Sequence, residues 1–148
     1  MKQSEDNARL VSAFLEEVWN TGGLDRLDEF VHPDYRDNSL PEGFPKDRSG
    51  LELWIRNTSK AFEHRTIVES LVADEQHVAV RLSFEVRHTG AWRGIAPTFR
   101  SVTVKGFRYF EVEEGKIKSH WALIDGEGLH AALTEKPQGC ALPQQVKP

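Results

Sequence analysis

Hydrophobic residues in the first part of the chain recur at helical spacing, and further on they alternate with polar residues. The helical spacing predicts three helices, over residues 5–20 and 24–31 and in a third segment that starts at Ser49. From about Arg65 the alternation predicts four strands, over residues 66–73, 77–88, 99–113 and 116–125. Because the helices precede the strands instead of alternating with them, the pattern predicts an α+β domain with an antiparallel sheet.

Local signals set the predicted boundaries of the helices. Two glycines after Thr21 end the first helix, and His32-Pro33 breaks the second. In the third, Ser49 is the expected N-cap and Glu52 completes a capping box.

The length of 148 residues predicts one domain, over residues 1–134, followed by a mobile tail over residues 135–148 that contains Cys140. A net charge of −4 argues against the basic surface that nucleic-acid binding requires. No apolar run reaches the roughly 20 residues that cross a bilayer, and the N-terminus lacks a secretion signal. We therefore expect a cytoplasmic protein without nucleic-acid or membrane partners.

A carboxylate interrupts the apolar face of the last predicted strand. Strict alternation places Asp125 on the same face as Ile117, Trp121 and Leu123. A carboxyl group among apolar side chains has a raised pKa, which suits proton transfer, so Asp125 is a candidate catalytic acid/base. Alternatively, Asp125 ends the strand and caps the segment that begins at Gly126.

Two further polar residues share inward registers with apolar neighbours. His88 follows the buried parity of the strand over residues 77–88, and Arg108 interrupts an apolar row in the next strand. His88 is a hydrogen-bonded core residue, a neutral donor to a substrate carbonyl or enolate, or an imidazolium that keeps Asp125 ionised. Arg108 requires an anionic partner, either Asp125 or a substrate group, unless a bulge turns it to solvent.

Two segments carry a resemblance to a known family, namely FLEEVWNTGGLDRLDEFVHPDYRDNSLPEG and VRHTGAWRGIAPTFRSVTVKGFRYFEVEEGKIKSHWALIDGEGL. In order and spacing they resemble the SnoaL-like polyketide (ester) cyclases of the nuclear-transport-factor-2-like superfamily. The resemblance implies a strongly curved sheet forming a cone around an apolar pocket, with HTG at its border. It also implies a homodimer and an aspartate that serves as acid/base in an intramolecular aldol ring closure.

Other residues are expected around such a pocket. Asp37 and Asn38 follow HPDY in a loop at the pocket mouth, where they either hydrogen-bond the substrate or form an Asx turn. The aromatic residues that would line the pocket, unless they are ordinary core, are Trp54, Phe62, Trp92 and Trp121.

The histidines lack the short spacing of metal ligands, and phosphate-loop, dinucleotide and serine-nucleophile motifs are absent from the sequence. We therefore expect that any enzymatic activity of this chain needs no metal or cofactor. Three functions remain open. The first is proton abstraction beside a carbonyl by Asp125, with His88 or Arg108 stabilising the enolate. The second is hydrolysis of an epoxide or ester by water that Asp125 activates, and the third is non-catalytic binding of an apolar small molecule.

Overall fold

In a computed structural model of the protein, residues 2–135 are described, so Cys140 and nearly all of the predicted tail lie outside the described part. Helix α1 is followed directly by a π-helical turn, and a short 3₁₀ turn precedes α2. In chain order the elements are α1 Lys2–Phe14, the π-helical turn Leu15–Asn20, the 3₁₀ turn Leu24–Arg26, α2 Leu27–Phe30, β1 Val31–Asp37, α3 Arg48–Ala61, β2 Phe62–Ala73, β3 His77–His88, β4 Ser101–Glu113, β5 Lys116–Ile124 and α4 Gly126–Thr134.

The five strands of the described chain form one curved sheet in the order β1-β5-β4-β3-β2. Strands β2 to β5 are antiparallel neighbours. The N-terminal helix and the π-helical turn that follows it pack on the sheet, with Val11, Phe14 and Leu15 in a core shared with Val78 and Phe110 of β3 and β4. The predicted α+β class, with helices packed on a curved sheet, is therefore confirmed. No helix within residues 2–135 has both the length and the apolar character needed to span a membrane.

Strand β1 is absent from the sequence prediction. The chain enters it directly after α2, although Pro33 lies within it. A proline is tolerated there because β1 is the edge strand of the sheet, so its missing N–H breaks no central hydrogen bond. Unlike the other strands, β1 runs parallel to its neighbour β5, and its end pairs Asp37 with His120. This pairing places a carboxylate beside an imidazole.

A one-residue bulge reverses the facing of the second half of β5. Glu111 of β4 pairs with Ser119 and Val112 with Ile117, so Lys118 is left as the extra residue. An extra residue shifts the period-2 alternation by one position and moves each later side chain to the other face. His120 is consequently buried, whereas the side chains of Trp121 and Leu123 are exposed by 40% and 77%. The prediction that they share the inward face with Ile117 is wrong.

Two helix starts also differ from the sequence prediction. Asp47, rather than Ser49, is the N-cap of α3, and its carboxylate accepts hydrogen bonds from the backbone N–H groups of Ser49 and Gly50. Helix α4 is a further element, and Asp125 is its N-cap, which agrees with the alternative interpretation of this residue as a cap at Gly126. An aspartate suits both positions because its side chain pairs N–H groups that lack an intrahelical acceptor.

Candidate functional site

A cavity of about 590 Å³ lies between α3, the loop after β3 and the inner face of the sheet. Trp19, Trp54, Phe62, Phe84 and Trp92 supply most of its aromatic wall. Trp54, Phe62 and Trp92 therefore lie on the cavity wall, and their contact with a substrate stays a prediction. Among these apolar groups the polar side chains of Asp37, Arg108 and His120 also line the cavity.

Asp37 and His120 form a buried pair, exposed by 1% and 5%. The Nδ1 atom of His120 lies 2.9 Å from Oδ2 of Asp37. The same carboxylate accepts a 2.6 Å hydrogen bond from the Tyr35 hydroxyl and a 2.9 Å bond from the backbone N–H of Ser39. The latter is an Asx turn, which holds the carboxylate in place at the end of β1.

The other imidazole nitrogen of His120 faces Arg108. Its Nε2 atom lies 3.1 Å from Nη1 of Arg108, and the guanidinium also lies over the Trp19 ring at 4.7 Å. A guanidinium only donates hydrogen bonds, so Nε2 of His120 is the acceptor and its proton resides on Nδ1, facing Asp37. The geometry therefore assigns a neutral His120 whose Nε2 lone pair lies on the cavity side of the pair.

Burial and mutual contacts set the charges of the group. Burial alone would raise the pKa of Asp37, but hydrogen bonds from His120, Tyr35 and Ser39 outweigh it and lower that pKa to about 2. Burial, assisted by the nearby Arg108, lowers the pKa of His120, although its bond to Asp37 opposes the shift. Burial also lowers the pKa of Arg108 to about 10 against the pull of Asp37. The group is thus an anion and a cation on either side of a neutral imidazole.

The pKa of the Tyr35 phenol is raised well above its usual value by burial, by the charge of Asp37 and by its hydrogen bond to that carboxylate. Tyr35 therefore remains protonated and donates to Asp37. In this arrangement His120 can take a proton at Nε2, and Asp37 stabilises the imidazolium that results. Arg108 supplies donors for a negative oxygen in the same cavity.

The predicted inward orientation of Asp125 is wrong. Its side chain is exposed, and its Oδ1 atom accepts a 2.8 Å hydrogen bond from the backbone N–H of Gly128 as the cap of α4. The bulge at Lys118 is the cause, because it turns every later side chain of β5 over. Asp125 is also not the partner expected for Arg108, whose guanidinium instead contacts His120.

His88 is fully buried, but it is not among the residues that line the cavity. Its Nδ1 atom accepts a 3.1 Å hydrogen bond from the backbone N–H of Thr98, and its ring lies 5.4 Å from that of Phe62. These contacts are those of a hydrogen-bonded core residue that supports the wall from behind.

Asn38 and Trp121 lie on the opposite side of the sheet from the cavity. Both line a groove of about 710 Å³ on the outer face. The Asn38 amide donates a 3.3 Å hydrogen bond to the backbone carbonyl of His120. Strict alternation predicts Trp121 on the inner wall, because it assumes a strand without a bulge.

Sequence reasoning missed His120 as a site residue, and with it Tyr35. Strict alternation assigns His120 to the same face as Lys118, which is the expected polar face of the strand. The available signal was the HPDY segment, since a strand after α2 would have brought Asp37 against β5. Because His32-Pro33 is typical of a break, the sequence pattern does not predict that this segment pairs with β5.

A possible cation cluster lies away from the cavity, where His32 approaches Glu113 and Glu114. His32 accepts the N–H of Asp34 at Nδ1, so its Nε2 carries the proton and donates to Glu114 at 2.8 Å. Lys118 lies 3.1 Å from Glu113. In this arrangement the group is an ion-pair cluster, because the imidazole offers no free lone pair to a metal.

Comparisons with known proteins agree with this fold. The sequence model of the SnoaL-like polyketide cyclases matches residues 9–133. A nogalonic acid methyl ester cyclase of Streptomyces nogalater is 32% identical over 125 residues, covering 80% of this chain and 87% of that protein. The aklanonic acid methyl ester cyclase AcmA of Streptomyces galilaeus is 31% identical over 124 residues, covering 80% and 85%. The structure of TsrD from Streptomyces laurentii superposes with a TM-score of 0.77 at 27% identity, covering 88% of this chain and 96% of that one.

Proposed function

We propose that this chain, which belongs to the SnoaL-like polyketide cyclase family, is a cofactor-independent cyclase that abstracts a proton beside a carbonyl with His120 as its base. The observation that carries the proposal is the position of His120 between Asp37 at 2.9 Å and Arg108 at 3.1 Å, on the wall of the cavity. This replaces Asp125, an exposed helix cap, as the acid/base.

In the proposed reaction, Nε2 of His120 takes a proton from the carbon next to a substrate carbonyl, and the electron pair of that C–H bond becomes the enolate. The enolate carbon then attacks a second carbonyl of the same molecule, which forms the C–C bond of the new ring and leaves an alkoxide. The imidazolium returns its proton to that alkoxide. The product has the same mass as the substrate, and no electrons are exchanged with a cofactor.

Asp37 has a supporting role in this scheme. As an anion bonded to Nδ1 it stabilises the imidazolium and fixes the tautomer that leaves Nε2 free to accept a proton. Tyr35 and Ser39 hold the carboxylate by two further hydrogen bonds and so fix its orientation. General base catalysis of this kind contributes about 10²–10⁴ in rate.

Arg108 stabilises the negative oxygen. In the structure its Nη1 atom occupies the lone pair of His120, so substrate binding must draw the guanidinium from Nε2 to the substrate oxygen. The two events are coupled, because the developing enolate is a stronger acceptor than a neutral imidazole. The base thus becomes free when the oxyanion donor is engaged.

The cavity walls favour a flat, fused-ring substrate. Aromatic side chains surround a volume of about 590 Å³, which lies within the usual range for small-molecule sites. Two relatives are cyclases of nogalonic acid methyl ester and aklanonic acid methyl ester. We infer a polyketide of this kind as the substrate class, and these two esters are the first compounds to assay.

The test compares His120→Asn with Asp125→Asn on both esters. Asparagine at position 120 retains a donor to Asp37 but removes the base, so kcat should fall by about 10²–10⁴. Asparagine at position 125 still caps a helix, so turnover should remain within about twofold. Loss of turnover in Asp125→Asn with an active His120→Asn would overturn the proposal.

The products separate this reaction from the two alternatives. Ring closure yields an isomer of the ester, whereas hydrolysis of the ester by water that the same dyad activates releases methanol. A protein that only binds the ester shows saturable binding and no product. Chromatography with mass detection distinguishes the three outcomes.

We also propose that the chain forms a homodimer through the outer face of the sheet. Phe107, Tyr109, Trp121 and Leu123 are exposed there by 56%, 42%, 40% and 77%. Large apolar side chains exposed together on one face mark an interaction site. Light scattering should give about twice 16.8 kDa, and Phe107→Glu should shift the protein to monomer, whereas Leu53→Glu on α3 should not. A monomeric wild type would contradict this.

A further inference from the structure

A second guanidinium lies at the cavity, and the proposed reaction does not use it. Arg93 lines the cavity together with Trp92 and Gly126. Its guanidinium lies over the Trp92 ring at 4.5 Å, so the charge is held against the aromatic wall. Arg108 is balanced by the buried Asp37, whereas Arg93 has no comparable partner among residues 2–135.

The nearest anion to Arg93 that the structure records in the described chain is Glu127. The two charged groups are 3.5 Å apart, and the Glu127 side chain is exposed by 91%. An ion pair so open to solvent contributes little, since water competes for both charges. Arg93 therefore retains most of its capacity to bind another anion.

The backbone at Arg93 is unfavourable for arginine. Trp92 and Ile95 exchange two backbone hydrogen bonds around a two-residue turn, and Arg93 and Gly94 both have positive φ, at 49° and 76°. Turns of this type strongly prefer Asn-Gly, because most side chains clash with the backbone at positive φ. Arginine in this position accepts local strain, and such strain is concentrated at functional sites.

Gly126 makes room for the guanidinium. A Cβ atom added at this position would lie 3.0 Å from Nη2 of Arg93, which is closer than ordinary contact. A side chain at position 126 would therefore require the guanidinium to shift by a few tenths of an ångström.

We propose that Arg93 recognises an ionised acid group of the substrate and so selects anionic aromatic compounds over their neutral analogues. This inference rests on the proposed function, which it narrows to fused-ring polyketides that carry a carboxylate or another acidic group away from the reacting carbonyls. In this division Arg108 meets the oxygen that becomes negative during the reaction, and Arg93 meets the group that is negative throughout.

The test uses two fluorescent probes that need no turnover. Anilinonaphthalene sulfonate and its parent N-phenylnaphthylamine share one aromatic skeleton and differ by the sulfonate. The wild type should bind the sulfonate more tightly by roughly 10- to 100-fold, as a charge-assisted contact provides. In Arg93→Asn this preference should disappear while the neutral probe binds as before. Arg9→Gln, which removes an exposed arginine of α1, should retain the preference.

The melting temperature of Arg93→Asn distinguishes a binding role of Arg93 from a purely structural one, which would make the substitution destabilising. Asparagine suits the turn better than arginine, so Arg93→Asn should raise the melting temperature by roughly 1–4 °C while abolishing the preference for the anion. Gly126→Ala should reduce that preference only slightly, because the added methyl group requires a small shift of the guanidinium.

The inference is overturned if the wild type shows no preference or binds neither probe. It is equally overturned if Arg93→Asn keeps the preference, as binding in the outer groove would produce. The probes undergo no reaction, so a failed binding test does not affect the proposed role of His120 as the base. Conversely, if His120 proves not to be the base, the binding result for Arg93 remains valid.

Discussion

Asp37 and Asp125 stand at the ends of two paired strands, β1 and β5, and each accepts a hydrogen bond from a backbone N–H two or three residues further on. Asp37 is 1% exposed and bonded to His120 and Tyr35, whereas Asp125 lies open to solvent at the start of α4. Both are aspartates at strand ends. Only the former has the burial and the partners that acid/base chemistry requires.

The difference originates in one residue of β5. With Lys118 as a bulge, His120 faces the cavity and Leu123 faces outward. Without it, the apolar-looking alternation of Ile117, Trp121 and Leu123 would continue and would carry Asp125 inward. A bulge can therefore decide which of two carboxylates joins a site, although it leaves no trace in the hydrophobic pattern.

Deletion of Lys118 should produce the largest effect. Removing the bulge residue turns His120 outward and forces Trp121 and Leu123 into the cavity, so the protein should lose more than about 4 kcal/mol of unfolding free energy. Urea unfolding followed by circular dichroism measures this. Lys118→Ala retains the residue count and loses only the contact with Glu113, for a cost of about 1 kcal/mol or less. A deletion variant as stable as the wild type would refute the role of the bulge.

Loss of the cation at position 108 should come next. Arg108→Met leaves Asp37 as a buried anion without a compensating cation, which should cost about 3–5 kcal/mol. Adding Asp37→Asn should restore part of that stability, whereas adding Asp125→Asn should restore none. Urea unfolding of the single and double variants provides the measurement, and simple additivity with Asp37→Asn would contradict the coupling.

The pH dependence of stability should show Asp37 directly. Folding lowers its pKa from 3.8 to about 2, so the unfolded state binds the proton more readily. The resulting stabilisation is complete above about pH 4 and is lost as the pH falls toward about 2, by about 2 kcal/mol. Asp37→Asn should lack this component. If the unfolding free energies of the wild type and Asp37→Asn vary with pH in parallel across this range, the pKa of Asp37 is not lowered by folding.

Asp125 should give the smallest effect. Asp125→Ala removes the side-chain acceptor for Gly128, so the cost should be about 1 kcal/mol, while Asp125→Asn keeps a capping group and should change stability by a few tenths. Thermal melts of both variants test this. A loss of several kcal/mol in Asp125→Asn would indicate a buried role that the structure does not give it.

Much of the fold follows from local pattern. The strand predicted over residues 77–88 has the observed bounds, and the switch from helical to alternating periodicity correctly predicts an α+β domain. Strand β1 could not be predicted in this way, because Pro33 reads as a breaker until its place at the sheet edge is known. The edge position depends on long-range pairing.

Some residues of the candidate site can likewise be predicted from local pattern, whereas others depend on long-range pairing. Arg108 lines the cavity because no bulge falls between it and the apolar row of β4, so simple alternation suffices. The sequence identifies Asp37 as a candidate site residue, but it predicts a loop where the structure has the end of β1. His120 required both the β1 pairing and the bulge in β5, neither of which a single strand's pattern contains.

The central claim is that His120 is a neutral imidazole with its proton on Nδ1 facing Asp37 and its lone pair on Nε2. Nitrogen-15 NMR of the imidazole ring, recorded across a pH titration, observes both atoms directly. We expect Nδ1 to stay protonated and Nε2 to stay unprotonated below pH 6.5, because burial lowers the pKa of His120. The spectrum should change in Asp37→Asn but not in Asp125→Asn. A proton on Nε2, or an imidazolium at pH 6.5 and above, would contradict it.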